Sequence, residues 1–170
     1  TGGFAANVEM RQKYNTIWPD LGESVPTTNP SSSTGDGIVM AEAVGANLVD
    51  MEYIQMVASG DPFITPIITN VAFVNSQGER FVREDGRRDE ICEAVLEQPG
   101  QYFYYIMDTH TTVDLLDGMT IHGFVLDDIV DGEDIIKADT LEELAEQMGI
   151  DPDTLTNTVA EFNSYVDAGS

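Results

Sequence analysis

The clearest amphipathic pattern lies near the C-terminal end of the chain. Leu155, Val159, Phe162 and Val166 recur at helical spacing, and Asp151-Pro152 sets a capping carboxylate and a first-turn proline just before them. A helix is predicted from there onward. Leu141, Leu144, Ala145 and Met148 form a second stripe, opened by the capping sequence Asp139-Thr140-Leu141-Glu142-Glu143. Upstream, Asp89 to Glu97 reads as a helix with Ile91, Val95 and Leu96 inward and Pro99-Gly100 as its stop. The run QYFYYIMD is aromatic and aliphatic enough for a buried strand. AFVNSQGERFV puts Asn75 to Gly78 between two strand-forming runs, the pattern of a hairpin with a loop of about four residues.

The first third has a different texture, mixing small residues, Gly and Ser. Thr27 to Ser33 reads as loop. A helix is predicted over roughly Gly37 to Val44, capped by Asp36 or Thr34 and stopped by Gly45, followed by an extended run from Leu48 to Met56. No complete βαβ unit, internal repeat or coiled-coil heptad pattern occurs.

Length and charge narrow the function classes. With 170 residues the chain holds one medium domain or two small units, and 42% hydrophobic against 22% charged residues predicts a packed core. Seven Lys and Arg against 31 Asp and Glu leave a net charge of −24. A polyanion is repelled by such a surface, so nucleic acid and anionic membranes are poor partners. No apolar run is long enough for a membrane span. The single cysteine, Cys92, excludes an internal disulfide and a multi-cysteine metal site, and its place on an apolar helix face predicts a small buried hydrophobe. The compartment stays open. The start at Thr-Gly-Gly suggests a piece of something longer.

Candidate chemistry is concentrated in two places. Four of the seven basic residues, Arg80, Arg83, Arg87 and Arg88, fall within nine positions. Local ion pairing with Glu79, Glu84, Asp85, Asp89 and Glu90 is the plainer reading for any one of them. The sharper reading is a site for an anionic substrate, since a planar guanidinium grips carboxylate bidentately. The second place is Thr34-Gly35-Asp36-Gly37, a glycine-rich turn into a helix, which can offer backbone N–H groups and the Asp36 carboxylate to a ligand. Thr1-Gly2-Gly3 likewise permits close backbone approach. No metal is expected: a calcium loop starting at Asp127 would need carboxylates where Ile129 and Ala138 stand, and His110 and His122 have no neighbouring cysteine.

Taken in order, TGGFAAN, TTN, TGDGIVMAEAVGANLVDMEYIQ, FVNSQGERFVREDGRRD and KADTLEELAEQMGID resemble the fumarate reductase and succinate dehydrogenase flavoprotein superfamily, nearest its soluble flavocytochrome c-like branch with the urocanate reductases. The resemblance covers nearly the whole chain. It implies an α+β cap (clamp) domain over residues 56–170, with a small sheet and covering helices, preceded in residues 1–55 by a partial strip of a Rossmann-type FAD-binding domain. Carried over by motif, Thr1, Gly2 and Gly3 and the turn Thr34, Gly35, Asp36 and Gly37 match FAD-contacting positions. Arg88 matches the arginine proposed as proton donor, and Arg80 matches a hairpin arginine without a catalytic assignment.

The resemblance thus implies FAD in the full-length protein, not bound by this piece alone, and an α,β-unsaturated carboxylate as substrate. The partners implied are the remainder of the FAD domain and self-association of the exposed piece. Two departures put fumarate itself in question. Met56-Val57-Ala58 replaces the family's His-Pro pair after YIQ, and the Thr-Glu substrate loop is absent. The alternatives are a flavin dehydrogenase running toward desaturation, and an acidic non-enzymatic module that docks a partner through its arginine cluster.

Overall fold

The computed structural model describes residues 3–58, 71–108 and 135–169, and divides the chain into two units, Thr1–Gln55 and Met56–Ser170. In the first unit, helix α1 spans Val8–Tyr14 and is capped by Asn7, whose side chain accepts from the Met10 N–H at 3.0 Å. Its Arg11 is buried and donates to the carbonyls of Val25 (2.9 Å) and Gly22 (3.1 Å), pinning the loop that follows the helix. Within that loop, Trp18 donates from Nε1 to the Ile54 carbonyl at 2.8 Å. Met10, Trp18 and Leu21 form the buried apolar part of this unit.

Helix α2, Asp36–Ala43, starts one residue earlier than predicted and stops before Gly45, which has a φ of 90°. Its cap is neither Thr34 nor Asp36 but Gly35, in the left-handed region at φ 83°. A side chain there would run into the Met10 thioether and come within 2.9 Å of Phe4 Cβ, so only glycine fits the turn. The extended run from Leu48 to Met56 forms no strand. Asp50 adopts φ 58°, Tyr53 closes a turn onto its carbonyl at 3.3 Å, and no strand among the described residues of this unit offers a ladder.

The second unit is built on a short strand buried on both faces. Strand β1, Ala72–Asn75, pairs antiparallel with β2, Phe103–Ile106, in a register that sets Phe73 opposite Tyr105 and Val74 opposite Tyr104. Between them lie helix α3, Arg88–Leu96, and a 3-10 turn at Pro99–Gln101. Helices α4, Leu141–Met148, and α5, Pro152–Ala168, complete the unit. Side chains alternate across the sheet. Val71, Phe73, Phe103 and Tyr105 pack with Ile91 and Val95 of α3, whereas Val74, Tyr104 and Ile106 pack with Ala145, Ile150 and Leu155. Helices therefore cover both faces, as an isolated two-stranded sheet requires.

The capping predictions for the last two helices describe their structure well. Thr140 accepts from the Glu143 N–H at 3.2 Å, and Asp151 accepts from the Thr154 N–H at 3.0 Å. The hairpin prediction needs correcting. The turn after Asn75 forms, with Gly78 at φ 84°, but the returning arm makes a single ladder pairing, Val74 with Arg80, before it leaves the sheet. The true partner of β1 is β2, which is half-buried rather than buried.

Burial along α5 is uneven: Leu155 is 0% exposed and Val166 is 55% exposed. Leu155→Ala should therefore cost about 2–5 kcal/mol in a urea unfolding series, the range for emptying a buried leucine site. Val166→Ala should stay within about 0.5 kcal/mol of the parent, as surface changes do.

Candidate functional site

The first candidate site lies at the start of α2. Gly35 N donates to the Gly3 carbonyl at 3.1 Å, Ala6 N to the Ser33 carbonyl at 3.0 Å, and Asn7 Nδ2 to the Thr34 carbonyl at 2.9 Å. These bonds bring Gly3, Ala6 and Asn7 against the Ser33–Gly35 segment, although the two are more than 25 residues apart in sequence. Asp36 is exposed, and the Thr34 hydroxyl donates to its Oδ1 at 2.9 Å. One carboxylate oxygen is thus left for a ligand hydroxyl, whereas the Ile38 and Val39 N–H groups of the first turn of α2 donate to the Gly35 carbonyl. Gly3, Thr34, Gly35, Asp36 and Gly37 come together in this way. Thr1 and Gly2 lie outside the described residues.

The donor set suits a flavin nucleotide. A crowded glycine turn lets backbone approach a bulky ligand, and a carboxylate beside it accepts from a sugar or ribityl hydroxyl. Helix α2 itself has no buried residue, and Val39 and Met40 along it and Val44 at its C-cap stand exposed. Such a helix has its apolar side uncovered in this chain.

The second candidate site is the arginine cluster between β1 and α3, where the four guanidinium groups sort by partner. Arg83 pairs with Asp85 at 2.7 Å and Arg87 with Asp89 at 2.6 Å, both on the open surface. Their hydrogen bonds hold the Asp85 and Asp89 carboxyls below the usual carboxylate range. Arg80 is enclosed more deeply. It grips Glu84 through Nε (2.9 Å) and Nη2 (2.6 Å), which raises its own pKa, and its guanidinium lies 5.6 Å from the Phe162 ring and 5.8 Å from the Tyr165 ring.

Arg88 is the first residue of α3 and is exposed. Among the described residues it is the basic side chain with neither a hydrogen bond nor an ion pair. Its neighbours explain why. Asp89 and Glu90 are taken by Arg87, and Ile91 and Cys92, the residues three and four positions on, belong to the buried face of the helix. In a chain of net charge −24, a free guanidinium at a helix start is a group ready for an anion.

The sequence alone does not single out Glu84 as a site residue, nor Phe162 and Tyr165 as partners of an arginine. The spacing of Arg80 and Glu84 was visible; the return of α5 over them was not. Among the described residues no group of His, Cys, Asp and Glu could hold a metal ion, and no helix is long and apolar enough to cross a membrane. His110, His122 and the acidic run from Asp127 lie outside the described residues.

The first unit, with a glycine turn and an open carboxylate, and the second, with a sheet, covering helices and a free arginine, point to the flavoprotein class. The chain belongs to the FAD binding domain family, whose model matches residues 1–170. It is 42% identical to an NADH:acrylate oxidoreductase of Vibrio harveyi over 99% of its length, and 36% identical to a urocanate reductase of Eggerthella lenta over 99%. It spans 17% and 28% of those two proteins. Among solved structures it superimposes on the open conformation of a flavocytochrome c3 fumarate reductase with a TM-score of 0.64 and 30% identity, covering 100% of this chain and 29% of that one.

Cys92 is not part of either site. Its thiol is buried, and burial pushes its pKa up to about 11. At pH 8 the native thiol should therefore react with iodoacetamide at least ~100-fold more slowly than in urea, where an ordinary thiol is partly ionised. A mass-spectrometric alkylation time course measures the ratio.

Proposed function

We propose that this chain is part of an FAD-dependent oxidoreductase that reduces the C=C bond of an α,β-unsaturated carboxylate. In this reading residues 56–170 form the cap domain, and residues 1–55 form the end of the first FAD-domain segment. The observation that carries the reading is the free guanidinium of Arg88, at the position where the family's motif has its proposed proton donor. The acrylate and urocanate reductases among the relatives support the substrate class. The exposed apolar side of α2 supports a larger FAD domain that covers it in the whole protein.

When bound, reduced FAD supplies a hydride to one carbon of the double bond. Gly3 and the Thr34–Gly37 turn would hold the cofactor by backbone approach, and Asp36 would accept from one of its hydroxyls. Arg88 meets the negative charge that develops at the neighbouring carbon and carboxylate, and delivers the proton to that carbon. Guanidinium groups are weak acids in water, with pKa above about 12, so much of their effect in such a site is electrostatic stabilisation of developing charge. Arg83 and Arg87 are neutralised by Asp85 and Asp89 and serve the surface.

Two substitutions in the whole enzyme separate the two sites. Arg88→Lys keeps the charge but loses the planar fork and the reach, so turnover of acrylate or urocanate should fall at least ~100-fold with FAD content unchanged. Arg83→Lys should leave turnover near normal. Asp36→Ala should instead lower the FAD content of the purified enzyme, read from flavin absorbance per protein. Near-normal turnover in the Arg88 variant, with activity lost in Arg83→Lys, would sink the residue assignment.

A further inference from the structure

From the geometry around Glu84 we infer that Arg80 and Glu84 form a positioning pair that fixes the start of α3, and with it the guanidinium of Arg88. The inference rests on the proposed role of Arg88. Glu84 stands four residues before Arg88, within the Arg83–Gly86 turn, where Gly86 N donates to the Arg83 carbonyl at 3.1 Å. Its Oε1 accepts from the backbone N–H of Phe73 at 3.0 Å, so the carboxylate is fastened to the central strand at a residue that is 0% exposed. Arg80 closes on the same carboxylate with two donors and lies against Phe162 and Tyr165 of α5. The segment leading into α3 is thereby tied to β1 and, through Arg80, to the last helix.

The pair differs in kind from its neighbours. The side chains of Arg80 and Glu84 are 28% and 14% exposed, against 77% and 72% for Arg83 and Asp85. A pair shielded to that degree keeps one geometry, whereas open-surface pairs exchange with water and contribute little. Arg80 also occupies Glu84, the carboxylate four residues before Arg88. Without Arg80, that carboxylate would lose its counter-charge in the segment that leads into α3. Lysine cannot replace Arg80, since one ammonium cannot supply two in-plane donors and a flat face for the aromatic rings. Arg80 and Glu84 touch neither substrate nor flavin in this scheme and act through the placement of Arg88.

The test is a double-mutant cycle in the whole flavoenzyme, assayed with acrylate and urocanate under reduced methyl viologen, with Tm and flavin content measured for each variant. Arg80→Lys should lower kcat about tenfold with KM and FAD content unchanged, since misplacing a group by a fraction of an ångström is enough for that. In an Arg88→Lys background, which keeps a measurable residual rate, the same change should cost less than about twofold, because the group it positions is already gone. Glu84→Gln retains an acceptor for the Phe73 N–H, should repeat the pattern, and serves if Arg80→Lys does not fold. Equal losses in both backgrounds, or losses that follow Tm alone, overturn the positioning role and leave Arg88 standing. Near-normal turnover of Arg88→Lys by itself overturns the reading on which the pair depends.

Discussion

The second unit depends on how the outer edge of β1 is closed. All four residues of this strand are buried, so each of its backbone groups needs a partner inside the protein. One edge is met by β2. On the other, the N–H groups of Phe73 and Asn75 lie two residues apart and so face the same way. Asn75 donates to the Glu79 carbonyl at 2.9 Å while the chain is still beside the strand. By Phe73 the returning arm has turned away, and the Glu84 carboxylate takes the place a third strand would fill. A charge in that position needs a counter-charge, which Arg80 supplies. The demand of one buried amide therefore fixes a carboxylate, then an arginine, then the entry into α3.

Much of this fold was legible in the sequence, and the reasons are local. The stripes and caps of α4 and α5, the Pro-Gly stop after α3 and the aromatic strand are written in contiguous residues, where period and capping chemistry are strong signals. Helix α1 was missed because its stabilising contacts are made at a distance: the buried Arg11 reaches carbonyls 11 and 14 residues away. The run from Leu48 to Met56 has strand-like composition, yet composition supplies no partner edge, and Asp50 turns the chain instead. Similarly, RFV in the predicted hairpin gives one residue to the ladder and commits Phe81 and Val82 to the core beside Phe73.

The candidate sites were legible to different depths. Gly35 was visible as part of a glycine turn, but the reason that it must be glycine is the Met10 side chain of α1, which sequence spacing does not reveal. Arg88 came from a motif resemblance rather than from any local signal. Its neighbours Arg83 and Arg87 look equivalent in the sequence. The structure separates them by what their carboxylates are doing, and that depends on side-chain directions at a turn.

Those directions also answer why an acidic chain keeps one arginine free. With carboxylates in more than fourfold excess over basic groups, the default fate of a guanidinium is a local pair, and Arg80, Arg83 and Arg87 each take an acid two to four residues on. Arg88 escapes by its place at the first turn of α3. Toward the C-terminus its own helix offers Ile91 and Cys92 at pairing distance, because that face must pack on the sheet. Toward the N-terminus the residue four positions back is Glu84, already held by Arg80 and by the Phe73 amide. Core packing thus puts apolar residues at the helix positions that could pair with it, and strand-edge closure occupies Glu84. The freedom of Arg88 is a consequence of how the unit folds, and a substitution that relieves either constraint acts on the charge of the site as well as on stability.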